Sequence, residues 1–304
     1  MPRLRWIDEA RLVIAVPDSA EAIAQAALAA HAVTRPIATV PLEPVSGGLS
    51  NRAWRAQAPG LDCFVRLGGA NAADLGVDRQ SECRLLALTA DAGLSPPIVV
   101  CDPDRDLLVT RFVAGGPWRR QDVHEPHNLQ LLGGMLRRLH ALPVPAGVAE
   151  VSFDRQARRL EAQLEPRGVA DRSVREIADL AFEALAAGPP RLAPCHNDLH
   201  HLNVLDDGER LWLVDWEYGG CGDPLFDLAS FACQHESTPS ERNALLAACG
   251  WDDRRTRALL DAACTAFDYV QWLWYRLWVA RGPEAAGEYA ARAAAIHSRL
   301  LAVR

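Results

Sequence analysis

The chain changes character once along its length, and this change limits the folds that it can adopt. Before the segment Ala114-Gly115-Gly116-Pro117, short apolar runs alternate with turn-forming residues, a pattern typical of strands joined by tight turns. After that segment, apolar residues recur at the spacing of amphipathic helices. The sequence therefore predicts an α+β protein of two lobes, with a small antiparallel sheet and one inserted helix in residues 1–113 and a mainly helical lobe in residues 114–304.

The individual elements are predicted from cap and turn residues. An alanine-rich run over residues 19–33 predicts an additional N-terminal helix, capped by Asp18 or Ser19. The predicted elements of the first lobe are strands at 37–45, 52–58 and 63–67, a helix at 78–92, and strands at 98–101 and 107–112. Those of the second lobe are helices at 128–142, 153–164 and 173–187, a strand at 210–215, and further helices to residue 304.

The overall charge argues against two classes of partner. The formal net charge is −7 and the isoelectric point is near 5.7, so we expect no broad basic face for nucleic acid or an anionic membrane. The most apolar stretch, residues 20–33, contains Glu21, Gln25 and His31, which favours an amphipathic helix over a membrane span. Any phosphate-binding site is therefore expected to be local.

The sequence contains no lysine, so all 32 cationic side chains are arginine. A Walker A nucleotide site requires a Gly-Lys-Ser/Thr segment, and a Schiff-base enzyme requires a lysine amine as nucleophile. Both classes of protein are excluded. Any phosphate-binding cation in this chain must be a guanidinium group.

The cysteines are scattered along the chain and form no C-x-x-C pair. In a chain of 304 residues this pattern predicts reduced core thiols rather than a disulfide framework, and with it a cytoplasmic location. The eight cysteines are Cys63, Cys83, Cys101, Cys195, Cys221, Cys233, Cys249 and Cys264.

The most specific chemical pattern lies in the predicted loop after Pro194. His196, Asp198 and Asn203 follow the spacing H-x-D-x-x-x-x-N, and Asp215 ends the next predicted strand. Kinases use these residue types for phosphoryl transfer, with one carboxylate near the acceptor hydroxyl and an amide and a second carboxylate as ligands for Mg²⁺. Mg²⁺ prefers such hard oxygen donors. The pattern predicts a phosphoryl-transfer site.

With these motifs, the chain resembles the aminoglycoside phosphotransferase and choline kinase superfamily of small-molecule kinases over roughly residues 40–235. The thiamine kinase and choline/ethanolamine kinase branches are the most similar. The resemblance implies a two-lobed protein-kinase-like fold that binds ATP and Mg²⁺ and phosphorylates the hydroxyl of a small metabolite. Asp198 would then act as the base, and Asn203 and Asp215 would hold Mg²⁺.

The resemblance also implies a set of nucleotide-binding residues. Arg66 lies at the place of the phosphate-binding cation, and Glu82 at the place of its helical partner. The choline and thiamine branches use arginine there, whereas aminoglycoside kinases generally keep lysine, so an aminoglycoside or amino-sugar phosphotransferase is the alternative. The residues that resemble the glycine-rich loop are Gly47, Gly48, Ser50 and Asn51.

Further residues are implied as supports of the catalytic loop or as contacts of the substrate. His196 and Asp227 are the implied supports, and His200 and Glu217 the implied substrate contacts. The D-x-H-x-x-N form of the loop is nearer to thiamine and aminoglycoside kinases. Choline kinases of eukaryotic type place an acidic residue where this chain has Gln234-His235-Glu236, which weakens choline as the acceptor.

Two aromatic side chains leave a choice between a binding role and a packing role. Tyr275 and Trp278 resemble the aromatic pair that faces the quaternary ammonium group in choline kinases, and a cationic acceptor would suit such faces. Large aromatic residues on a late helix also pack commonly in a core. Thiamine is the first expected acceptor, and choline or ethanolamine is a near second.

Functions of two other classes stay open at this stage. A zinc hydrolase could use His196, His200 and His201, but H-E-x-x-H is absent and Pro194 favours a loop over a helix. A catalytically silent pseudokinase that binds nucleotide would not need Asp198, Asn203 and Asp215 together. The sequence does not identify the acceptor, the choice between ATP and GTP, or the oligomeric state.

Overall fold

The computed structural model describes residues 18–45, 51–69, 75–168, 171–251, 253–282 and 286–303. The chain forms two compact units. Unit 1 contains residues 1–117 and 205–218, and unit 2 contains residues 118–204 and 219–304. This division differs from the predicted boundary at 113/114, because the segment 205–218 groups with the sheet unit rather than with the helices that flank it in sequence.

The described part of the chain contains both helices and short strands. The helices are α1 (Asp18–Ala29), α2 (Arg79–Asp91), α3 (Pro126–His140), α4 (Phe153–Leu164), α5 (Arg172–Ala186), α6 (Leu225–Gln234), α7 (Pro239–Ala248), α8 (Arg254–Arg281) and α9 (Ala286–Leu301). The strands are β1 (Glu43–Pro44), β2 (Asn51–Ala58), β3 (Leu61–Gly68), β4 (Ile98–Asp102), β5 (Leu107–Arg111), β6 (Gly116–Pro117), β7 (Ala193–Cys195), β8 (Val204–Asp206), β9 (Leu211–Leu213) and β10 (Gly220–Gly222).

Unit 1 is built on an antiparallel sheet with the strand order β1-β2-β3-β5-β4. Strand β3 lies in the middle and pairs Arg66 with Leu108 of β5. The alanine-rich helix α1 is shorter than predicted, and its buried Ala24 and Leu28 belong to the same core cluster as Trp54 of the sheet. Because Trp54 is fully buried, its replacement by alanine would cost about 3–5 kcal/mol of stability.

The first predicted strand is mostly wrong. Residues 37–45 were expected to be extended, but the strand is confined to Glu43–Pro44, and Arg35–Ile37 form a 3₁₀ turn. Pro36 and Pro41 explain the difference, since a proline has no N–H to donate to a neighbouring strand.

Helix α2 carries Glu82 and begins at a well-defined cap. The Asp78 side chain accepts hydrogen bonds from the backbone N–H groups of Gln80 and Ser81 at 3.0 and 3.2 Å. After the helix, Gly93 adopts a left-handed conformation with φ +66°, which turns the chain toward β4. These two ends set the register of the helix and therefore the position of Glu82 on its buried face.

The prediction that all cysteines are reduced is wrong for one pair. Cys83 of α2 and Cys101 of β4 form a disulfide, with their Cα atoms 5.8 Å apart. The spacing of 18 residues does not show that α2 packs on β4, so no local pattern predicts this bond. The cytoplasmic location loses the support that it drew from reduced thiols. Cys63, Cys195, Cys221, Cys233, Cys249 and Cys264 are free.

Unit 2 is mainly helical. Its longest helix, α8, has 28 residues and contacts α4, α5, α6 and α9. A two-stranded antiparallel sheet of β7 and β10 pairs Cys195 with Gly220, and β7 leads directly into the loop that carries Asp198. Among the described residues, no helix is both long enough and apolar enough to cross a bilayer.

Candidate phosphoryl-transfer site

Arg66 and Glu82 form a buried ion pair in unit 1. The guanidinium group of Arg66 donates through Nη1 and Nη2 to the two carboxylate oxygens of Glu82, at 2.5 and 2.8 Å. Burial alone would raise the pKa of Glu82, but the charges and hydrogen bonds of Arg66 and Arg79 together hold that pKa below its usual value. In the same way, burial would lower the pKa of Arg66, and Glu82 more than offsets this. Both groups therefore stay charged in a dry environment.

Asp215 lies beside this pair and keeps a partly exposed carboxylate. Its Oδ1 is 3.4 Å from Nη1 of Arg66, and about a third of its side chain is exposed (33%). The residue has φ +62°, a left-handed backbone conformation that is uncommon for residues other than glycine. The Leu213 N–H donates to the Leu94 carbonyl at 2.8 Å, and the indole of Trp216 donates to the Leu213 carbonyl, so both sides of Asp215 are anchored.

These groups have the chemistry required to hold a phosphate and a divalent cation. Arg66 presents a buried Nε that has no hydrogen-bond partner among the residues that the structure describes. Asp215 offers hard, partly solvated oxygens of the type that Mg²⁺ prefers. Phosphate oxygens and a metal ion would each find a matching group here.

Asn51 and Glu217, two of the predicted site residues, contact each other in unit 1. The Asn51 amide donates from Nδ2 to Glu217 Oε2 at 2.8 Å, and Glu217 is buried. Arg79 donates from Nη2 to Asn51 Oδ1 at 3.0 Å. The prediction that Glu217 contacts the acceptor stays a prediction, since the described contacts show it held by this chain's own side chains. Gly47, Gly48 and Ser50 lie outside the described residues.

Arg79 was not assigned a role from the sequence. It precedes Glu82 by three residues and therefore lies on the same face of α2, which is the signal that could have identified it. Its Nη1 donates to Glu82 Oε2 at 2.8 Å, so Glu82 has two guanidinium partners.

In unit 2, Asp227 fixes the backbone of the loop that carries Asp198. This fully buried carboxylate accepts hydrogen bonds from the N–H groups of His196 and Asn197, at 3.1 and 2.7 Å. His140 Nε2 lies 2.9 Å from the same carboxylate. Asn197 has φ +65°, and the two hydrogen bonds compensate for this strained conformation. These are the contacts expected of a residue that braces the loop.

Asp198 projects from the braced loop with about a third of its side chain exposed (32%). Its N–H donates to His196 Nδ1 at 3.4 Å, and its carbonyl accepts from the buried Asn203 Nδ2 at 2.9 Å. The carboxylate lies 3.4 Å from Gln234 Nε2 and 3.7 Å from His200 Nε2. The loop is therefore rigid around a carboxylate that remains accessible.

The zinc alternative has no support in the described part of the chain. There, His140, Cys195 and Asp227 are the metal-binding types whose ligand atoms lie within 4.8 Å of one another. The predicted histidines of the loop are not part of that group, and Asp227 already accepts hydrogen bonds from the loop. His201 is instead 3.1 Å from His235, whose pKa burial lowers to about 3.

Tyr275 and Trp278 pack against the chain's own aromatic and cationic groups. The ring centroids of both residues lie within 6.0 Å of the ring of Tyr289 on α9, at 5.6 and 6.0 Å. Arg292 lies over Tyr275, and Arg281 lies over Trp278, each at 5.8 Å from the ring centroid. This arrangement favours the core interpretation that the sequence left open over the cage interpretation.

Comparison with known families shows to which family the chain belongs. The family model described as "Phosphotransferase enzyme family" matches residues 41–260, which is well over half of the chain. The chain belongs to this family. The predicted resemblance is confirmed, and the matched range includes the segments that carry Arg66, Asp198 and Asp215.

Curated proteins that are similar to this chain include a protein named LicA and a choline/ethanolamine kinase. Protein LicA of Haemophilus influenzae is 28% identical over 189 residues, covering 60% of this chain and 55% of that protein. Human choline/ethanolamine kinase is 25% identical over 227 residues, covering 64% and 56%. The chain thus spans little more than half the length of these curated relatives.

A solved structure is similar over almost the whole chain. The choline/ethanolamine kinase family protein from Mesorhizobium loti is 28% identical, with a TM-score of 0.71, and the match covers 92% of this chain and 97% of that one. The predicted α+β, kinase-like fold is confirmed.

Proposed function

We propose that this protein transfers the γ-phosphoryl group of ATP to the hydroxyl of a small amino alcohol of the choline or ethanolamine class. The observation that carries the proposal is the buried Arg66–Glu82 pair with the accessible Asp215 carboxylate beside it. Thiamine, which the sequence favoured, has no counterpart among the relatives named above. The amino alcohols therefore come first, and thiamine becomes one arm of the test.

Each polar group then has a distinct proposed role. Arg66 binds phosphate oxygens, and Glu82 holds its guanidinium group in a fixed plane. Asn203 and Asp215 are the proposed ligands of Mg²⁺, which when bound neutralises phosphate charge. Glycine-rich residues Gly47 and Gly48 are proposed to cover the phosphates through their backbone N–H groups.

Asp198 is the proposed group that orients the acceptor. Its carboxylate accepts the proton of the acceptor hydroxyl while the hydroxyl oxygen bonds to the γ-phosphorus. The bond from the γ-phosphorus to the bridging oxygen breaks, and ADP leaves with that electron pair. The brace from Asp227 to the loop holds the Asp198 backbone still, which limits the entropy lost when the acceptor binds.

The test measures ADP release with Mg²⁺ and either ATP or GTP against a panel of hydroxyl compounds. The panel contains choline, ethanolamine, thiamine, homoserine, amino sugars and aminoglycosides, and each rate is corrected for hydrolysis without acceptor. We expect saturable turnover with choline or ethanolamine, and detection of the phosphorylated alcohol confirms the transfer.

The variant Asp198→Asn, run in parallel, controls for contaminating kinases. Turnover only with an aminoglycoside or with thiamine would replace the proposed acceptor and keep the reaction type. Nucleotide binding without turnover on any acceptor would instead indicate a silent nucleotide-binding protein.

A further inference from the structure

A second, nearly buried arginine, Arg79, joins four segments of unit 1. Only 10% of its side chain is exposed. Its Nε donates to Asp106 Oδ1 at 3.1 Å, its Nη1 to Glu82 Oε2 at 2.8 Å, and its Nη2 to Asn51 Oδ1 at 3.0 Å. Nη1 also lies 3.5 Å from Glu217 Oε2. The guanidinium group therefore contacts side chains that are far apart in sequence.

The contacts made by Arg79 converge on the segment that contains Asp215. Glu217 follows Asp215 by two residues, and its Oε2 accepts from Asn51 Nδ2 at 2.8 Å while facing Arg79. Asn51 is the first residue of β2, directly after the predicted glycine-rich loop. One guanidinium group thus connects helix α2, the start of β2 and the residues after Asp215.

The contacts of Arg79 depend on the absence of a side chain at Gly68. A Cβ atom on Gly68, at the end of β3, would lie 2.8 Å from Nη2 of Arg79 and 2.9 Å from Cβ of Asp106. Any other residue there would push Arg79 or Asp106 away. The Gly68 N–H also donates to the Asp106 carbonyl at 2.8 Å, so the glycine holds the backbone of Asp106, which is one of the partners of Arg79.

The charges around Arg79 explain why a cation is required there. Four carboxylates, those of Glu82, Asp106, Asp215 and Glu217, face two guanidinium groups, those of Arg66 and Arg79. Two of the carboxylates are buried, and buried carboxylates without a cation repel each other and lose hydration. Arg79 is the cation that contacts both buried carboxylates, whereas the partly exposed Asp215 lies 3.4 Å from Arg66.

We propose that Arg79 is a positioning residue that sets the Asp215–Glu217 segment for binding of a Mg²⁺–nucleotide complex. It acts through Glu217 and Glu82 and does not itself touch the phosphates. This inference rests on the proposed function, because it assumes that Asp215 meets a metal ion. The single ammonium group of a lysine cannot donate in the three directions that the Arg79 guanidinium group uses. Arg79→Lys therefore removes the geometry and keeps the charge.

The test is calorimetric binding of a non-hydrolysable ATP analogue, with and without Mg²⁺, to the wild type and Arg79→Lys. We expect the affinity for the analogue with Mg²⁺ to fall about tenfold or more, as for a residue that orients a metal ligand, and the affinity without Mg²⁺ to change less than about twofold. Arg105→Lys is the matched control, because the half-exposed Arg105 side chain pairs with the buried Asp102 in the same unit, away from Glu82 and Glu217. The control should match the wild type in both conditions.

Equal losses of affinity with and without Mg²⁺, or no loss at all, would overturn the positioning role. A wild type that does not bind the analogue with Mg²⁺ would contradict the proposed function itself, which separates the two failures.

Glu217→Gln gives a second route if Arg79→Lys does not fold. Glu217→Gln should lower the affinity for the analogue with Mg²⁺ and change the affinity without Mg²⁺ little. In the double variant with Arg79→Lys, the fold loss of affinity should be smaller than the product of the fold losses in the two single variants. Independent effects of the two substitutions would overturn the coupling.

Discussion

Replacing Arg66 by lysine tests the geometry of the buried pair while keeping its charge. The wild-type guanidinium group uses two nitrogen atoms to bind the two oxygens of Glu82, and one of them also lies 3.4 Å from Asp215. A lysine offers one nitrogen centre at the end of a flexible stem. It can stay with Glu82 or reach toward Asp215, and it loses at least one charge-assisted hydrogen bond either way.

The size of the effect follows from the burial of both partners. A hydrogen bond to a charged group contributes about 1.5–3 kcal/mol, and solvent does not screen it here because Arg66 and Glu82 are both buried. We expect the free energy of unfolding to fall by about 2 kcal/mol. If the lysine stays with Glu82, one phosphate contact is lost as well, and the dissociation constant of the Mg²⁺–ATP complex should rise about tenfold or more.

Denaturant unfolding and calorimetry measure the two quantities, and Arg55→Lys is the matched control. Arg55 makes the same two-pronged contact with Asp62, at 2.9 and 2.6 Å, but both side chains are about a third or more exposed. Solvent screens an exposed pair of this kind, so its loss should change the stability much less than the loss of the buried pair. Equal small effects in Arg66→Lys and Arg55→Lys, with unchanged nucleotide affinity, would refute the reasoning.

Four further predictions concern the loop, the metal ligand, the aromatic cluster and a buried histidine. Asp198→Asn should lower turnover by about 10²–10⁴-fold and leave calorimetric nucleotide binding intact, and near-normal activity of the folded variant would contradict the role of the base. Asp215→Ala should lose the Mg²⁺-dependent part of nucleotide affinity, and equal calorimetric affinities with the wild type would remove it from the metal site. Because the ring of Trp278 packs on Tyr289, Trp278→Leu should lower the melting temperature and leave the Michaelis constant of the acceptor within about twofold. A rise of that constant at an unchanged melting temperature would instead support the role of Trp278 in binding the acceptor. Burial lowers the pKa of His235 to about 3 in the folded protein, from a usual value near 6.5. Between these two pH values the unfolded chain binds more protons than the folded one, so the free energy of unfolding should fall as the pH drops below 6.5. His235→Gln should flatten this dependence in denaturant unfolding at pH 6.5 and 5, and an equally steep loss in the variant would assign it to other groups.

The sequence singled out candidates for the chemistry of the site more readily than the ion-pair network around them. Asp198, Asn203 and Asp215 were predicted because phosphoryl transfer restricts both the residue types and the spacing, and their roles stay predictions. Arg66 was singled out through the resemblance to the choline and thiamine kinase branches, which place arginine at this position. Arg79 was missed because its partners Asn51, Asp106 and Glu217 are distant in sequence, and only the folded chain brings them to one guanidinium group.

Fold predictions failed where contacts between distant segments decide the outcome. The helix at 153–164 was predicted within its observed bounds, because its cap and its apolar spacing are both local. The disulfide between Cys83 and Cys101 depends on the packing of α2 against β4, and residues 205–218 join unit 1 through contacts such as that of Leu213 with Leu94. Such pairings carry no periodic signal in a single sequence.

The Cys83–Cys101 bond has a consequence for the local opening of α2. The bond joins the residue after Glu82 to the end of β4, across a sequence separation of 18. Crosslinking a loop of this size removes unfolded-chain entropy worth about 3 kcal/mol. Fraying of α2 would separate Glu82 from Arg66. In the oxidised protein, such fraying has to occur while Cys83 and Cys101 stay joined. Backbone amide exchange in α2 is therefore expected to be slower in the oxidised protein than in the reduced one. The oxidised and reduced proteins therefore differ in the fraction of molecules in which α2 is ordered. The nucleotide affinity of each form reflects its own fraction.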